Sequence, residues 1–234
     1  EEWLNAYATS LDELAWFSML LLFELETYWL SDDALTRLTR YSLMGVRIVC
    51  YFFLANTVYA YISNYLELTQ VVTVNGIDSL CGLASESWSF VRNLRYDVIT
   101  AANCEALSGA QAFYQIGGDR VVTDAAGIAE LKLLYAVDIE DAIVWLAVVI
   151  LIELVVQAQE RGISGGPIIR VAKLATKVLY GILIVHAAVW LWKGHWVYAW
   201  DQLLWIGGFA AIGANLSEWR EELQNLTGSG AAPA

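Results

Sequence analysis

The chain has 234 residues, 58% of them hydrophobic and 16% charged, with two prolines and a net charge of −12. Apolar runs long enough to span a bilayer recur along it, which argues against an ordinary soluble domain and for a polytopic membrane protein. The acidic balance excludes a nucleic-acid partner, because phosphate backbones are bound by the opposite sign.

The opening residues, EEWLNAYATSLDE, carry neither a basic n-region nor an initiator Met, which fits a removed signal segment or a chain that starts part-way. The first predicted span is 14–30 and the second 41–66. Glu24 and Glu26 lie about 9 and 6 Å from the inner end of the first span, and Arg47 about 9 Å inside the second. A short connection joins these two helices, so a buried structural ion pair between Arg47 and one of the glutamates, Glu24 first, is the economical expectation. Glu26 points about 200° away from Glu24 around the helix, so one of the two meets something else. Cys50 reads as a small packing residue inside the second span.

Residues 67–141 hold eleven acids against four bases. TQVVTV (69–74) reads as a strand ending at the turn pair Asn75-Gly76, and Gly117-Gly118 separates two strand-like runs as a hairpin turn does. Asp124 is placed to cap a helix through Ala129, Leu133 and Ala136 that runs on into the third span. The segment is expected to be a small α+β domain, in which Cys81 and Cys104 are positioned to form a disulfide if it lies outside the cell.

The third span, 142–157, contains Glu153, which shares a helical face with Val149, Gln157 and Glu160 and is the deepest member of a polar stripe. Either its carboxylate reaches the headgroups, or it lines a cavity as an ionisable pathway group. The fourth span, 174–192, holds His186 near its middle, read either as a hydrogen-bonded packing residue or as a pathway group. The fifth, 196–215, holds Asp201 among Trp196, Trp200 and Trp205, and a small-residue stripe Gly207, Ala211, Ala214 suited to close helix packing. Lys193-Gly194-His195 is so short that the last two spans must be antiparallel neighbours, and LTGSGAAPA reads as a tail.

The fold class expected is therefore an all-α polytopic membrane protein: a five-helix transmembrane bundle with a small extracytoplasmic α+β domain between spans 2 and 3. The domains are 1–66, 67–141, 142–216 and a cytoplasmic tail at 217–234. Arg37, Arg40, Arg47, Arg161, Arg170, Lys173, Lys177 and Arg220 place eight of thirteen basic residues on one side, which the positive-inside rule makes cytoplasmic. Trp16, Tyr61, Tyr65, Trp145, Trp190, Trp192, Trp196, Tyr198 and Trp200 then form an aromatic belt at the outer interface.

Asp138 and Asp141, Asp201, His186 and Glu153 follow one another in estimated depth, a ladder suited to handling cations or protons. The leading expectation is a small ion- or proton-handling membrane protein or a membrane subunit of a transport complex, lodged in the lipid bilayer and homo-oligomeric or part of a larger assembly. The alternative is a non-catalytic membrane-anchored scaffold or accessory subunit that binds a partner through its acidic outer domain, with WSFVRNLRY (88–96) among its working parts. No nucleophile elbow, metal triad or paired catalytic carboxylates are legible, so enzyme activity ranks last and no cofactor or metal is expected.

Overall fold

The computed structural model describes residues 7–25, 29–30, 36–77, 79–110, 112–160, 163 and 165–211. In chain order these form α1 (Ala8–Glu24), α2 (Arg37–Glu67), β1 (Val72–Thr73), a 3-10 turn (Leu80–Leu83), β2 (Ser89–Arg92), β3 (Arg95–Val98), α3 (Cys104–Leu107), β4 (Phe113–Gln115), β5 (Val121–Asp124), α4 (Ala125–Glu160) and α5 (Pro167–Trp192). A further helix, α6, is described over 196–211. The chain divides into two compact units, one of Glu1–Asp12 with Phe53–Ala142 and one of Glu13–Phe52 with Ile143–Ala234.

The first unit is built on a five-stranded sheet of order β1-β4-β5-β2-β3. Its pairs are antiparallel except β2 with β5, which run parallel. Alternation along the strands gives the sheet two apolar faces. Phe90, Phe113 and Val122 pack with Leu80, Leu83, Ile99 and Cys104 on one side, while Val91 packs with Leu68 and Leu131 on the other. Cys81 and Cys104 are joined by a disulfide with a Cα–Cα separation of 4.8 Å. It ties the 3-10 turn to α3 and closes the first of these cores.

Local chemistry explains the connections. The β4–β5 hairpin turns at Gly117-Gly118, with Gly117 at φ +59°. The β2–β3 hairpin turns at Asn93-Leu94, whose φ values of +50° and +56° match the mirror-image turn that a right-twisted hairpin favours. A leucine is disfavoured at positive φ, and here its side chain is held against the Val91–Leu131 cluster. Asp124 caps α4: its Oδ1 accepts the Gly127 amide at 2.7 Å, while its carboxylate also receives Arg92 Nη2 at 3.1 Å. From that cap α4 runs unbroken for 36 residues.

In the second unit an aromatic cluster joins α1, α4 and α6. Trp16 and Trp145 meet edge to face at 5.8 Å between centroids, and Phe209 lies 5.4 Å from Trp145. Trp145 Nε1 donates to Gln202 Oε1 at 3.3 Å, which satisfies a buried polar pair. The buried residues of α1 (Ala15, Trp16, Met19, Leu22, Phe23) follow helical spacing, yet its opposite face is also apolar, with Leu14, Phe17 and Leu21 exposed.

The expected five-helix transmembrane bundle is not what the chain forms. The structure is 70% helical and has one five-stranded sheet among the described residues, where two helices, α2 and α5, are long and apolar enough to cross a membrane. The other three expected spans are not among them within the described residues. Helix α1 has 17 residues, about 25 Å against a hydrocarbon thickness of about 30 Å. Helix α4 commits its first turns to the sheet through Leu131, and its apolar stretch starts only after Asp141. Helix α6 is described over 16 residues, 196–211.

Candidate functional site

The polar cluster that most needs explaining lies in the second unit. Arg47 on α2 brings its Nε to 3.5 Å from Glu153 Oε1 on α4, with each side chain only 18% exposed. Tyr51, one turn beyond Arg47 on the same helical face, brings its buried phenol oxygen near the same carboxylate without completing a hydrogen bond. On the other side the Arg47 guanidinium sits 5.3 Å from the centroid of the Phe23 ring of α1, within cation–π reach. Three helices thus converge on one guanidinium. Cys50, buried on the neighbouring face of α2, lies beside Ser18 of α1.

Among the described residues Arg47 forms an ion pair with Glu153 of α4, a contact that the spacing of the first two helices does not anticipate. Both partners sit in apolar helices, where each charge needs a counter-charge beside it, and α4 supplies one for Arg47. Glu24 is half-buried at the end of α1. Glu26 lies outside the described residues.

The other candidate residues are distributed as follows. His186 is buried on α5, at 5% exposure, within the inward stripe that also contains Leu183, Ala187 and Trp190. Asp201 is exposed on α6. Asp138 and Asp141 are half-buried on the part of α4 that belongs to the first unit. There Asp138 neighbours Tyr135, whose phenol is pushed above its ordinary range by burial first, then by the adjacent Tyr96 and by the charges of Asp138 and Glu67. Gly207 and Ala211 are exposed on α6, and a Cβ built on Gly207 meets nothing within 4 Å, so no helix of this chain closes on that face among the described residues. Ala214 lies outside the described residues, as does the tail.

A cleft of about 420 Å³ opens between the end of α4 and the start of α5, lined by Leu151, Leu154, Val155, Ala158, Ile168 and Ala172 among other apolar residues. Among the described residues its lining presents no polar side chain. Arg170, Lys173 and Lys177 share the exposed opposite face of α5.

Two features escaped the sequence reading. Tyr51 carried a usable signal, its i+4 spacing from Arg47. The exposed edge strand β3 carried a weaker one, because its hairpin turn is Asn-Leu and not a glycine pair. No family model matches this chain, and no curated protein and no solved structure matches it.

Proposed function

We propose that this is a membrane-anchored accessory or scaffold protein, in which α2 and α5 cross the bilayer and residues 67–141 bind a protein partner on the extracytoplasmic side. The observation that carries this reading is the Arg47–Glu153 pair. A carboxylate tied to a guanidinium 3.5 Å away is compensated in place, and that accounts for an ionisable residue in an apolar helix without a conduction role.

Anchoring is supported by how little of the two apolar helices is covered. Only 17% of the apolar window of α2 and 22% of that of α5 is buried. A helix apolar on all sides is stable either inside a protein or in lipid, and these two are not inside. Exposed Met44, Ile48 and Phe52 on α2, and Ile168, Val171 and Leu174 on α5, face outward instead. The disulfide fits an oxidising compartment for 67–141, and Arg37 and Arg40 at the start of α2 fit the cytoplasmic side for the other end of that helix.

The test compares flux and binding. Full-length protein in liposomes with an imposed potential and an internal pH dye is expected to show no flux above empty vesicles, across pH and potential. The same protein with changes within 88–96 should lose a cross-linked partner in native membranes. Specific flux abolished by both Glu153→Gln and His186→Ala would overturn this reading in favour of a second one, ion or proton handling through Glu153, His186 and Asp201. One observation favours that second reading: a titratable side chain, His186, is buried within an apolar helix.

A further inference from the structure

Strand β3 is one outer edge of the sheet, and all four of its residues, Arg95 to Val98, are exposed. Its hydrogen-bonding parity follows from the register with β2. Arg92 pairs with Arg95 across the two-residue turn, and Phe90 with Asp97. The Ile99 amide donates to Trp88 O at 2.8 Å, in phase with those pairs. Residues 95, 97 and 99 therefore turn their backbone groups toward β2, and Tyr96 and Val98 turn theirs outward. Asn103 Nδ2 donates to Val98 O at 2.9 Å and covers that carbonyl. What remains on the edge is the amide and carbonyl of Tyr96 and the amide of Val98.

The side chains of this strand are self-complementary. Arg95 lies opposite Arg92, a like-charge pair that is unfavourable unless each finds an acid. Arg92 takes Asp124 at 3.1 Å, and among the described residues no acid is paired with Arg95. Asp97 stands two residues along on the same face of β3. An antiparallel copy of RYDV laid alongside with Tyr96 opposite Tyr96 puts Arg95 against Asp97 in both directions. That register also makes Tyr96 a hydrogen-bonded pair, as its outward groups require. The neighbouring allowed register, with Tyr96 opposite Val98, sets Asp97 against Asp97 and needs the carbonyl already covered by Asn103. Charges on an edge normally discourage pairing; here their order makes the edge selective for itself.

We propose that β3 is a homodimerisation edge: two copies of the chain join β3 to β3 antiparallel about a two-fold axis at Tyr96, continuing the sheet from one copy into the other. A second copy of this chain is thereby a partner of the 67–141 segment. The inference uses the proposed function only in taking that segment as a binding unit, and it needs no particular membrane orientation.

The experiment uses full-length protein in nanodiscs, with wild type as the background for Cys50. Tyr96→Cys under mild oxidation should give a covalent dimer, because residues paired across an antiparallel ladder have Cα atoms about 5.5 Å apart, within disulfide reach. Val98→Cys should not, because the two copies of residue 98 are then about 13 Å apart along the strands. Asp97→Arg should weaken dimerisation about tenfold by turning two attractive pairs into repulsive ones, and Arg95→Asp combined with Asp97→Arg should restore it. The proposal is overturned by a monomeric wild type, by equal cross-linking at 96 and 98, or by a double swap no better than Asp97→Arg alone. Co-flotation of the same variants with lipid vesicles reports on anchoring separately, so a lost dimer is distinguishable from a lost membrane association.

Discussion

Removing either member of the Arg47–Glu153 pair should destabilise the second unit far more than removing both. At 3.5 Å and an effective dielectric of about 20, the attraction between unit charges is on the order of 5 kcal/mol. Desolvating two side chains that are each only 18% exposed offsets much of this, so the pair adds little net stability over apolar residues of similar volume. Stranding one charge is different. Arg47→Leu alone leaves the buried Glu153 carboxylate without this counter-charge, at a cost of about 3–5 kcal/mol, and Glu153→Leu removes the same attraction from Arg47. The expected order of stability is wild type close to the double leucine variant, then Glu153→Gln, with Glu153→Lys last because it sets a second cation beside Arg47. Thermal unfolding in detergent, read from tryptophan fluorescence because Trp16, Trp145 and Trp205 cluster in this unit, gives all four corners of the cycle. Single-variant losses that simply add in the double variant, leaving a coupling below about 0.5 kcal/mol, would refute the assignment of the pair as the compensator of both charges.

Three further outcomes concern the first unit. Cys104→Ser opens a loop whose ends are 23 residues apart in sequence; loop-closure entropy puts the loss at about 3.5 kcal/mol, read by hydrogen exchange of the sheet with and without reductant. At Gly127 a Cβ would run into Thr123 Oγ1, which is itself held by its 2.7 Å bond to Val91 O. Gly127→Ala should therefore destabilise the β5–α4 junction by about 1–2 kcal/mol, overpacking outweighing the better helix propensity of alanine, measured as a lowered denaturation midpoint. Tyr135 has a folded pKa raised above its ordinary value of about 10, so its unfolded form ionises first as pH rises. Its contribution is whole below pH of about 10 and is lost above it, at up to about 1.4 kcal/mol per pH unit, and Tyr135→Phe should flatten that alkaline slope in denaturation midpoints.

The parts of the first unit legible in the sequence are those set by neighbours along the chain. Gly117-Gly118 marks its hairpin because positive φ is cheap only for glycine, and Asp124 marks the start of α4 because its carboxylate reaches an amide three residues on. Arg47 shows the limit of the same logic. The nearest acids in sequence, Glu24 and Glu26, looked like its partners because a short connection joins their helices. The described ion pair, with Glu153, spans 106 positions, from 47 to 153, and nothing in the spacing of either helix encodes that contact. The span count failed for a related reason. A hydrophobic run says that a helix avoids water, and Trp16, Trp145 and Phe209 avoid it by packing on one another, which composition alone does not separate from facing lipid.

The convergence on Arg47 bears on how the second unit finds one arrangement. Helices α1, α2 and α5 are apolar on faces that point inward and on faces that point outward, so hydrophobic burial barely distinguishes one rotation or register from the next. A charged side chain does distinguish them. Only one rotation of α2 presents Arg47 and Tyr51 together to Glu153 while leaving the guanidinium over Phe23. A slip of one residue turns Arg47 by about 100° and strands two charges in apolar surroundings. On this reasoning the charges at 47 and 153 act mainly to exclude wrong packings, and the double leucine variant separates that role from stability. It should melt near the wild-type temperature yet show broader, less uniform hydrogen exchange in α1, α2 and α4. Wild-type exchange in that variant would mean that the aromatic cluster of Trp16, Trp145 and Phe209 is enough to set the register.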